Sequence, residues 1–156
     1  MVSEGHRINY RAIIFMYLSE NFTFEEFERS EIAEKYNIDN KITKDLIRNN
    51  IKELVFNVLQ PLRDKINKPI TISSGYRCLQ VNKQAGGVPT SQHVMGQAAD
   101  IMINGMTSYE IASMIIEMGL PFDQIGLYDN FVHVSVSSRQ RNMIFYSKNY
   151  SGKRLS

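Results

Sequence analysis

The chain has 156 residues, a length that fits one domain able to bury about two thirds of its unfolded surface. Hydrophobic residues make up 43% of the sequence and charged residues 22%, which is typical of a globular protein and excludes a disordered chain or a coiled coil. The formal net charge of +2 and the scattered basic residues argue against a nucleic-acid partner. No stretch approaches the ~20 apolar residues of a membrane span.

Cysteine content and the first residues bear on where the protein acts. The single cysteine, Cys78, cannot form an intrachain disulfide and is interpreted as a small core residue. The apolar run over 12–18 is short, and no small-residue cleavage pattern follows it. We therefore expect no secretory signal peptide, and a protein that stays in the cytoplasm until it is released or exported.

The sequence predicts three regions. Residues 1–20 carry a short helical pattern and are interpreted as an appended N-terminal segment. Residues 21–146 are predicted to form the folded domain, and 147–156 a polar C-terminal tail that is frayed. Within the domain, Thr23 followed by Glu26 predicts a capping box at the start of a brief helix.

A long helix is predicted over 44–66, where apolar residues repeat at helical spacing. Thr43 is expected to cap this helix, and Pro61 to kink it. After the helix, residues 68–75 are predicted to contain a strand that ends in a glycine turn, and 75–91 to be rich in loops.

The second half of the chain is predicted to contain strands and one helix. Thr107 followed by Glu110 predicts a second capping box, at the start of a helix that ends before Gly119. Asp129 and Asn130 are predicted to form a two-residue turn between two strands. The predicted strands cover 98–103, 123–128, 131–137 and 143–146.

Two histidines and one carboxylate are candidate metal ligands. The stretch 91–100 contains His93 and Asp100, and His133 lies in a later predicted strand. Alternation along the two strands puts Asp100 and His133 on the polar faces, so both side chains can face one cleft. Taken singly, each histidine is better explained as a structural residue, since histidine forms hydrogen bonds readily in protein cores. Together they form a ligand set that zinc accepts, and three protein ligands leave one position for water or substrate.

Three motifs occur in order along the chain. They are Ser-Gly-Tyr-Arg at 74–77, Ser-x-His-x-x-Gly-x-Ala-x-Asp at 91–100 and Val-His-Val-Ser at 132–135. With these motifs the chain resembles the zinc D-alanyl-D-alanine peptidases, which share a metallopeptidase superfamily with lysostaphin and hedgehog domains. The likeness extends from about residue 21 to about residue 144, most of the chain.

The resemblance implies a small single-domain α+β fold, hedgehog and D-Ala-D-Ala peptidase-like, with an antiparallel sheet and helices packed on one side. It implies that His93, Asp100 and His133 bind Zn²⁺, which would polarise the scissile carbonyl and lower the pKa of a bound water towards ~7. It also implies hydrolysis of D-Ala-containing bonds of bacterial peptidoglycan, with the stem peptide as partner. Such an enzyme is a lysin or remodels the cell wall.

The same resemblance suggests residues that bind substrate. Arg77 would bind a substrate carboxylate or stabilise the oxyanion, since its planar guanidinium stays charged. A surface salt bridge is the alternative role for Arg77. Ser91 and Gln92 would line the site and hold substrate or ligands by hydrogen bonds.

One departure from the family pattern concerns the general base. Relatives carry a catalytic glutamate shortly before the last zinc histidine, but residues 124–133 contain no glutamate. Asp129 is the only carboxylate in this interval and is the candidate general base, although Asp-Asn turns also occur for backbone reasons alone. Tyr128 is a candidate to hydrogen-bond the oxyanion, or it simply packs.

Two alternatives to a zinc peptidase stay open on the sequence. The missing glutamate favours a zinc-containing module that binds cell-wall peptide or protein with weak or no catalysis. A metal-free structural domain is the other interpretation. Because imidazoles must be neutral to bind zinc, metal affinity and any activity are expected to fall below about pH 6.

Overall fold

A computed structural model describes residues 17–156 of the chain, so most of the helical pattern predicted in 1–20 lies outside the described residues. No helix within this range is long and apolar enough to cross a membrane. Helices pack around a five-stranded sheet, which confirms the expected α+β class. The helices are α1 (Phe24–Glu28), α2 (Glu31–Tyr36), α3 (Asp45–Leu54), α4 (Gln60–Ile66), α5 (Leu79–Gln84) and α6 (Ser108–Glu117). The strands are β1 (Ile70–Ser74), β2 (Ala98–Ile103), β3 (Gln124–Leu127), β4 (Val132–Ser135) and β5 (Met143–Tyr146).

Both predicted capping boxes are confirmed. At α1, the Thr23 hydroxyl accepts from the Glu26 amide, and the Glu26 carboxylate accepts from the Thr23 amide at 2.7 Å. At α6, Thr107 and Glu110 make the same reciprocal pair. Each pair satisfies amides that the first turn of a helix leaves without partners. The sequence did not predict α2 or α5, and α5 lies in the segment 75–91 that was expected to be rich in loops.

The predicted long helix is present, but a π turn over Val55–Leu59 separates α3 from α4. Gln60 donates its amide to the Val55 carbonyl, five residues earlier instead of four. Pro61 follows directly, and a proline lacks an amide hydrogen and crowds the carbonyl four residues back. The wider turn relieves this conflict without ending the helix. No side chain caps the start of α3, so the cap expected from Thr43 is wrong.

The sheet places two of the three candidate ligands, Asp100 and His133, on neighbouring strands. Its order is β1-β2-β4-β3-β5, and its pairs are antiparallel apart from the parallel pair of β3 and β5. Asp100 of β2 lies opposite Ser74 on one side and opposite His133 on the other. Directly opposed residues of antiparallel strands project to the same face. Asp100 and His133 are therefore adjacent, in agreement with the alternation in the sequence.

The other face of the sheet packs in the core. Ala99 and Ile101 of β2, and Val132 and Val134 of β4, are fully buried. They belong to one hydrophobic core together with apolar residues of the long helix and of α6. The strand alternation thus separates an apolar face from the face that carries the candidate ligands. The long helix contributes Ile51, Leu54, Val58, Leu59 and Leu62 to this core.

The C-terminal tail packs against the domain, so the expectation of a frayed tail is wrong. Tyr150 is buried in the core. The Leu155 amide donates to the Tyr146 hydroxyl at 2.9 Å, and the Ser151 amide donates to the Asp129 carboxylate at 2.8 Å. These contacts bind the tail to β5 and to the turn between β3 and β4.

Gly126 of β3 lies opposite His133 and beside Phe145 of β5. A Cβ at position 126 would lie 2.3 Å from the Phe145 ring, so Gly126→Ala must displace that ring. We expect the free energy of unfolding to fall by about 1–3 kcal/mol, as measured by urea denaturation. Phe145→Leu removes the ring, so the same glycine substitution should cost less in that background. An equal loss in both backgrounds would contradict this explanation.

Candidate metal centre

Three side chains converge on one point of the sheet. The Nε2 atom of His93 lies 3.2 Å from Oδ1 of Asp100, and Nδ1 of His133 lies 3.0 Å from the same oxygen. One donor atom from each residue lies within 4.8 Å of the other two, so a single ion can contact all three. His93 and Asp100 are buried and His133 is half-buried. The structure thus brings together the three residues predicted to bind a metal.

Backbone packing at the end of β1 orients the ring of His93. Its Nδ1 atom lies 2.7 Å from the Gly75 carbonyl oxygen, and the Arg77 amide donates to the His93 carbonyl at 3.2 Å. A Cβ on Gly75 would lie 2.7 Å from Cα of Phe27. Only glycine therefore allows this segment to approach α1 and still reach the histidine.

The contact with Gly75 determines which nitrogen of His93 can bind a metal. A carbonyl oxygen only accepts, so Nδ1 carries the hydrogen and the neutral ring presents a lone pair at Nε2. That lone pair faces Oδ1 of Asp100, a second acceptor. A cation between the two atoms resolves the conflict, and a carbonyl behind the ring is a usual partner of a metal-binding histidine. The donor set and its orientation therefore fit zinc.

Asp100 carries the negative charge of this cluster. Burial raises the pKa of its carboxyl, but the adjacent imidazoles of His133 and His93 hold it well below its usual range. A terminal nitrogen of Arg77 lies 3.4 Å from Oδ2, and Nε of Arg77 donates to the Ser74 hydroxyl at 3.0 Å. The carboxylate therefore stays ionised near neutral pH, as a metal ligand must.

A cleft of about 760 Å³ surrounds the cluster. Arg77, Ser91, Gln92 and Tyr128 line this cleft together with the three candidate ligands, so the predicted substrate-binding residues lie where a substrate would enter. Their roles stay predictions. Several lining residues were missed, and most of them lie in loops, where no repeat marks them. They include Gly86, Gly87, Val88, Gln124, Arg139, Arg141 and Phe145.

Tyr128 forms part of the cleft wall, and its ring stacks on Phe131 with 4.3 Å between centroids. Burial and the charge of Asp100 raise the pKa of the Tyr128 phenol, while Arg77 opposes the shift. The phenol therefore keeps its proton at neutral pH. It can donate a hydrogen bond in the cleft, but it cannot act as a base there.

Asp129, the candidate general base, does not lie in the cleft. Its carboxylate accepts from the Ser151 amide at 2.8 Å and from the Ser151 hydroxyl at 3.1 Å, and it lines a separate pocket beside the tail. The predicted turn is present, since the Tyr128 amide donates to the Phe131 carbonyl at 3.1 Å. Asp100 is the only carboxylate among the described residues that line the cleft. The geometry therefore gives no support to Asp129 as the base.

A buried ion pair joins the metal cluster to the loop that follows β4. Asp123 is fully buried, and its carboxylate accepts from the amide, Nε and a terminal nitrogen of Arg141 at 2.9, 3.0 and 2.7 Å. It also accepts from Nε2 of Gln92 at 2.8 Å. Because Gln92 precedes His93, Asp123 fixes the loop 137–142 relative to the metal-binding segment. The sequence suggested no role for Asp123.

Comparison with protein families matches most of the chain. A sequence model of the family described as Peptidase M15 matches residues 20–135, about three quarters of the chain. The matched range contains all three candidate ligands, Arg77 and Tyr128, and ends at the last residue of β4. No curated protein matches the chain.

Asp123→Asn should destabilise the protein in a pH-dependent way. Hydrogen bonds from Arg141 hold the pKa of the Asp123 carboxyl well below its usual range, against the effect of burial. A carboxyl whose pKa is lowered by folding stabilises the folded state above its unfolded pKa of about 4, and this stabilisation is lost at lower pH. We expect Asp123→Asn to lower the free energy of unfolding at pH 7 by about 2 kcal/mol, and the deficit to shrink below about pH 4.

Urea denaturation at several pH values measures this deficit. Asp64→Asn is the matched control, because Asp64 is exposed and bonds only to Gln60 among residues 17–156. Its effect at pH 7 should stay within about 0.5 kcal/mol. A deficit for Asp123→Asn that does not depend on pH would contradict the electrostatic explanation.

Proposed function

Because the chain belongs to the peptidase M15 family, we propose that it is a zinc-dependent peptidase that hydrolyses D-Ala-containing peptide bonds of bacterial peptidoglycan. The observation that carries the proposal is the convergence of three donor atoms within 4.8 Å, in a cleft that also holds Arg77. The stem peptide is the proposed partner. The proposed place of action is the cell wall, which the protein reaches after release or export.

Nε2 of His93, Oδ1 of Asp100 and Nδ1 of His133 are the atoms that would hold the metal. When bound, zinc would polarise the scissile carbonyl and activate a water molecule. The chain supplies orientation and charge. The Gly75 carbonyl keeps the lone pair of His93 directed at the cluster, and Asp100 stays ionised.

Arg77 is the proposed anchor for a substrate carboxylate or for the oxyanion. Ser74 and Asp100 fix its guanidinium, and its other N–H groups are available in the cleft that it lines. A fixed, planar guanidinium suits carboxylate recognition because it donates two parallel hydrogen bonds. Tyr128, which keeps its proton, is the second proposed donor to the oxyanion.

Ser91 and Gln92 are the proposed contacts for the peptide backbone. Both line the cleft immediately before His93. Nε2 of Gln92 donates a hydrogen bond to the Asp123 carboxylate. The Oε1 atom of Gln92 has no hydrogen-bond partner among residues 17–156. That oxygen is buried, so it can accept a hydrogen bond from a substrate amide only when the Gln92 side chain turns towards the cleft.

The alternative function is a zinc-containing module that binds cell-wall peptide or protein with weak or no catalysis. The observation that favours it is the lack of a free carboxylate in the described part of the cleft, since Asp100 faces the two imidazoles. Tyr128 cannot replace the base while its phenol is protonated. The two functions therefore differ in turnover and agree in metal and peptide binding.

Incubation of the zinc-loaded protein with purified peptidoglycan, and with a D-Ala-D-Ala peptide, tests the proposed function. We expect new products by mass spectrometry, and their loss in His133→Ala, which removes one metal ligand. Bound zinc at one per chain with peptide binding but no products would favour the binding module. Cleavage by metal-stripped protein or by His133→Ala at the wild-type rate would contradict the proposal.

Asp129→Asn should leave hydrolysis within about twofold of wild type, because Asp129 lies outside the cleft and bonds to the tail. The substitution weakens the contact with Ser151, so we expect a lower midpoint of thermal unfolding. Ser151→Ala is the matched control and should lower the same midpoint by a smaller amount, since the Ser151 amide is kept. Loss of turnover in Asp129→Asn, with zinc still bound, would restore Asp129 as the general base.

A further inference from the structure

The metal cleft contains a positively charged side chain that has no role in the proposed reaction. Three arginines line it, and two of them are paired: Arg77 with Asp100, and Arg141 with Asp123. The guanidinium of the third, Arg139, makes no ion pair or hydrogen bond with any of residues 17–156; only its backbone amide is bonded. The cleft is therefore cationic even before a metal adds its charge.

Arg139 lies in the loop 137–142, which holds a defined conformation. Gln140 has φ of 39° and Asn142 has φ of 53°, in the left-handed region that side chains other than glycine adopt at a cost. The Arg139 amide donates to the Ser137 hydroxyl at 3.3 Å. The buried bonds between Arg141 and Asp123, described above, anchor the loop and offset that cost. The loop thus presents Arg139 to the cleft from a fixed backbone.

We propose that Arg139 is a specificity-determining residue that binds a second carboxylate of the peptide substrate, separate from any group bound by Arg77. The inference rests on the proposed function, since it requires a peptide that lies across the metal cluster. Arg141 cannot take this role, because Asp123 already engages its Nε and a terminal nitrogen. Arg139 retains all its donors, in the planar arrangement that matches a carboxylate.

The chemistry of the proposed substrate supplies such a group. A peptidoglycan stem peptide carries an α-carboxylate on its γ-linked D-glutamate and, where diaminopimelate is present, a further carboxylate on that residue. Both lie along the peptide and not at its C-terminal end. A protein that binds one of these carboxylates would favour acidic stem peptides over amidated ones of the same shape.

Four synthetic stem pentapeptides test the inference: one with both carboxylates free, two with one amidated and one with both amidated. Affinity for the zinc-loaded protein is measured by isothermal titration calorimetry, and kcat/KM is compared instead for any peptide that is hydrolysed. We expect the free-acid peptide to be favoured about tenfold over the doubly amidated one at low salt. This preference should weaken as ionic strength rises. The singly amidated peptides identify which carboxylate Arg139 binds.

Arg139→Gln should abolish the preference and leave the doubly amidated peptide within about twofold of its wild-type value, because that peptide lacks the group that Arg139 binds. Arg29→Gln is the matched control, since Arg29 is exposed and lines a different pocket; it should keep the full preference. Equal binding of acidic and amidated peptides by the wild-type protein, or a preference that survives Arg139→Gln, would overturn the inference alone. Failure of all four peptides to bind would overturn the proposed substrate, and this inference with it.

Discussion

Two hydrogen-bond acceptors face each other in the metal cluster, and the rest of the site depends on how that contact is satisfied. Nε2 of His93 and Oδ1 of Asp100 lie 3.2 Å apart, and the Gly75 carbonyl already takes the hydrogen on the other ring nitrogen of His93. A buried carboxylate oxygen that faces a lone pair is destabilising unless a proton or a cation lies between them. A cation held jointly with His133 satisfies all three donor atoms. The cluster therefore has the charge and orientation of a metal site.

The sheet makes this cluster possible by register. Asp100 lies directly opposite His133 across the β2–β4 pair, and strand alternation gives the reverse face to the apolar core. On the far side of His133, Gly126 leaves room for the Phe145 ring. That ring lies 5.9 Å from His133 between centroids and lines the cleft. The same strands thus fix Asp100 and His133 on one face and bury the core on the other.

Features set by short-range chemistry could be predicted from the sequence. Capping boxes at Thr23 and Thr107 depend on residues three apart, and strand alternation places Asp100 and His133 opposite the apolar faces of their strands. The position of Asp129 could not be predicted from local patterns of this kind. Its turn could be predicted, but its partner Ser151 is 22 residues further on, in a polar tail without periodicity. A carboxylate near a ligand in sequence was therefore wrongly expected to lie near it in space.

Long-range polar pairs were missed for the same reason. Asp123 binds Gln92 and Arg141, 31 and 18 residues away in the chain, and neither pair follows a helical or strand repeat. Such a pair can be recognised only when packing brings its members together. Its consequence is functional, because it couples the segment that carries His93 to the loop that carries Arg139. Charge placement in the cleft therefore depends on contacts that no local pattern encodes.

X-ray diffraction from crystals of the zinc-loaded protein, recorded at the zinc absorption edge, tests the metal site most directly. The account predicts one anomalous peak bonded at about 2.0–2.2 Å to Nε2 of His93, Nδ1 of His133 and a carboxylate oxygen of Asp100. The contact between His93 and the Gly75 carbonyl should persist in that structure. A peak at other residues, or no peak at these three atoms in crystals that contain zinc, would contradict it.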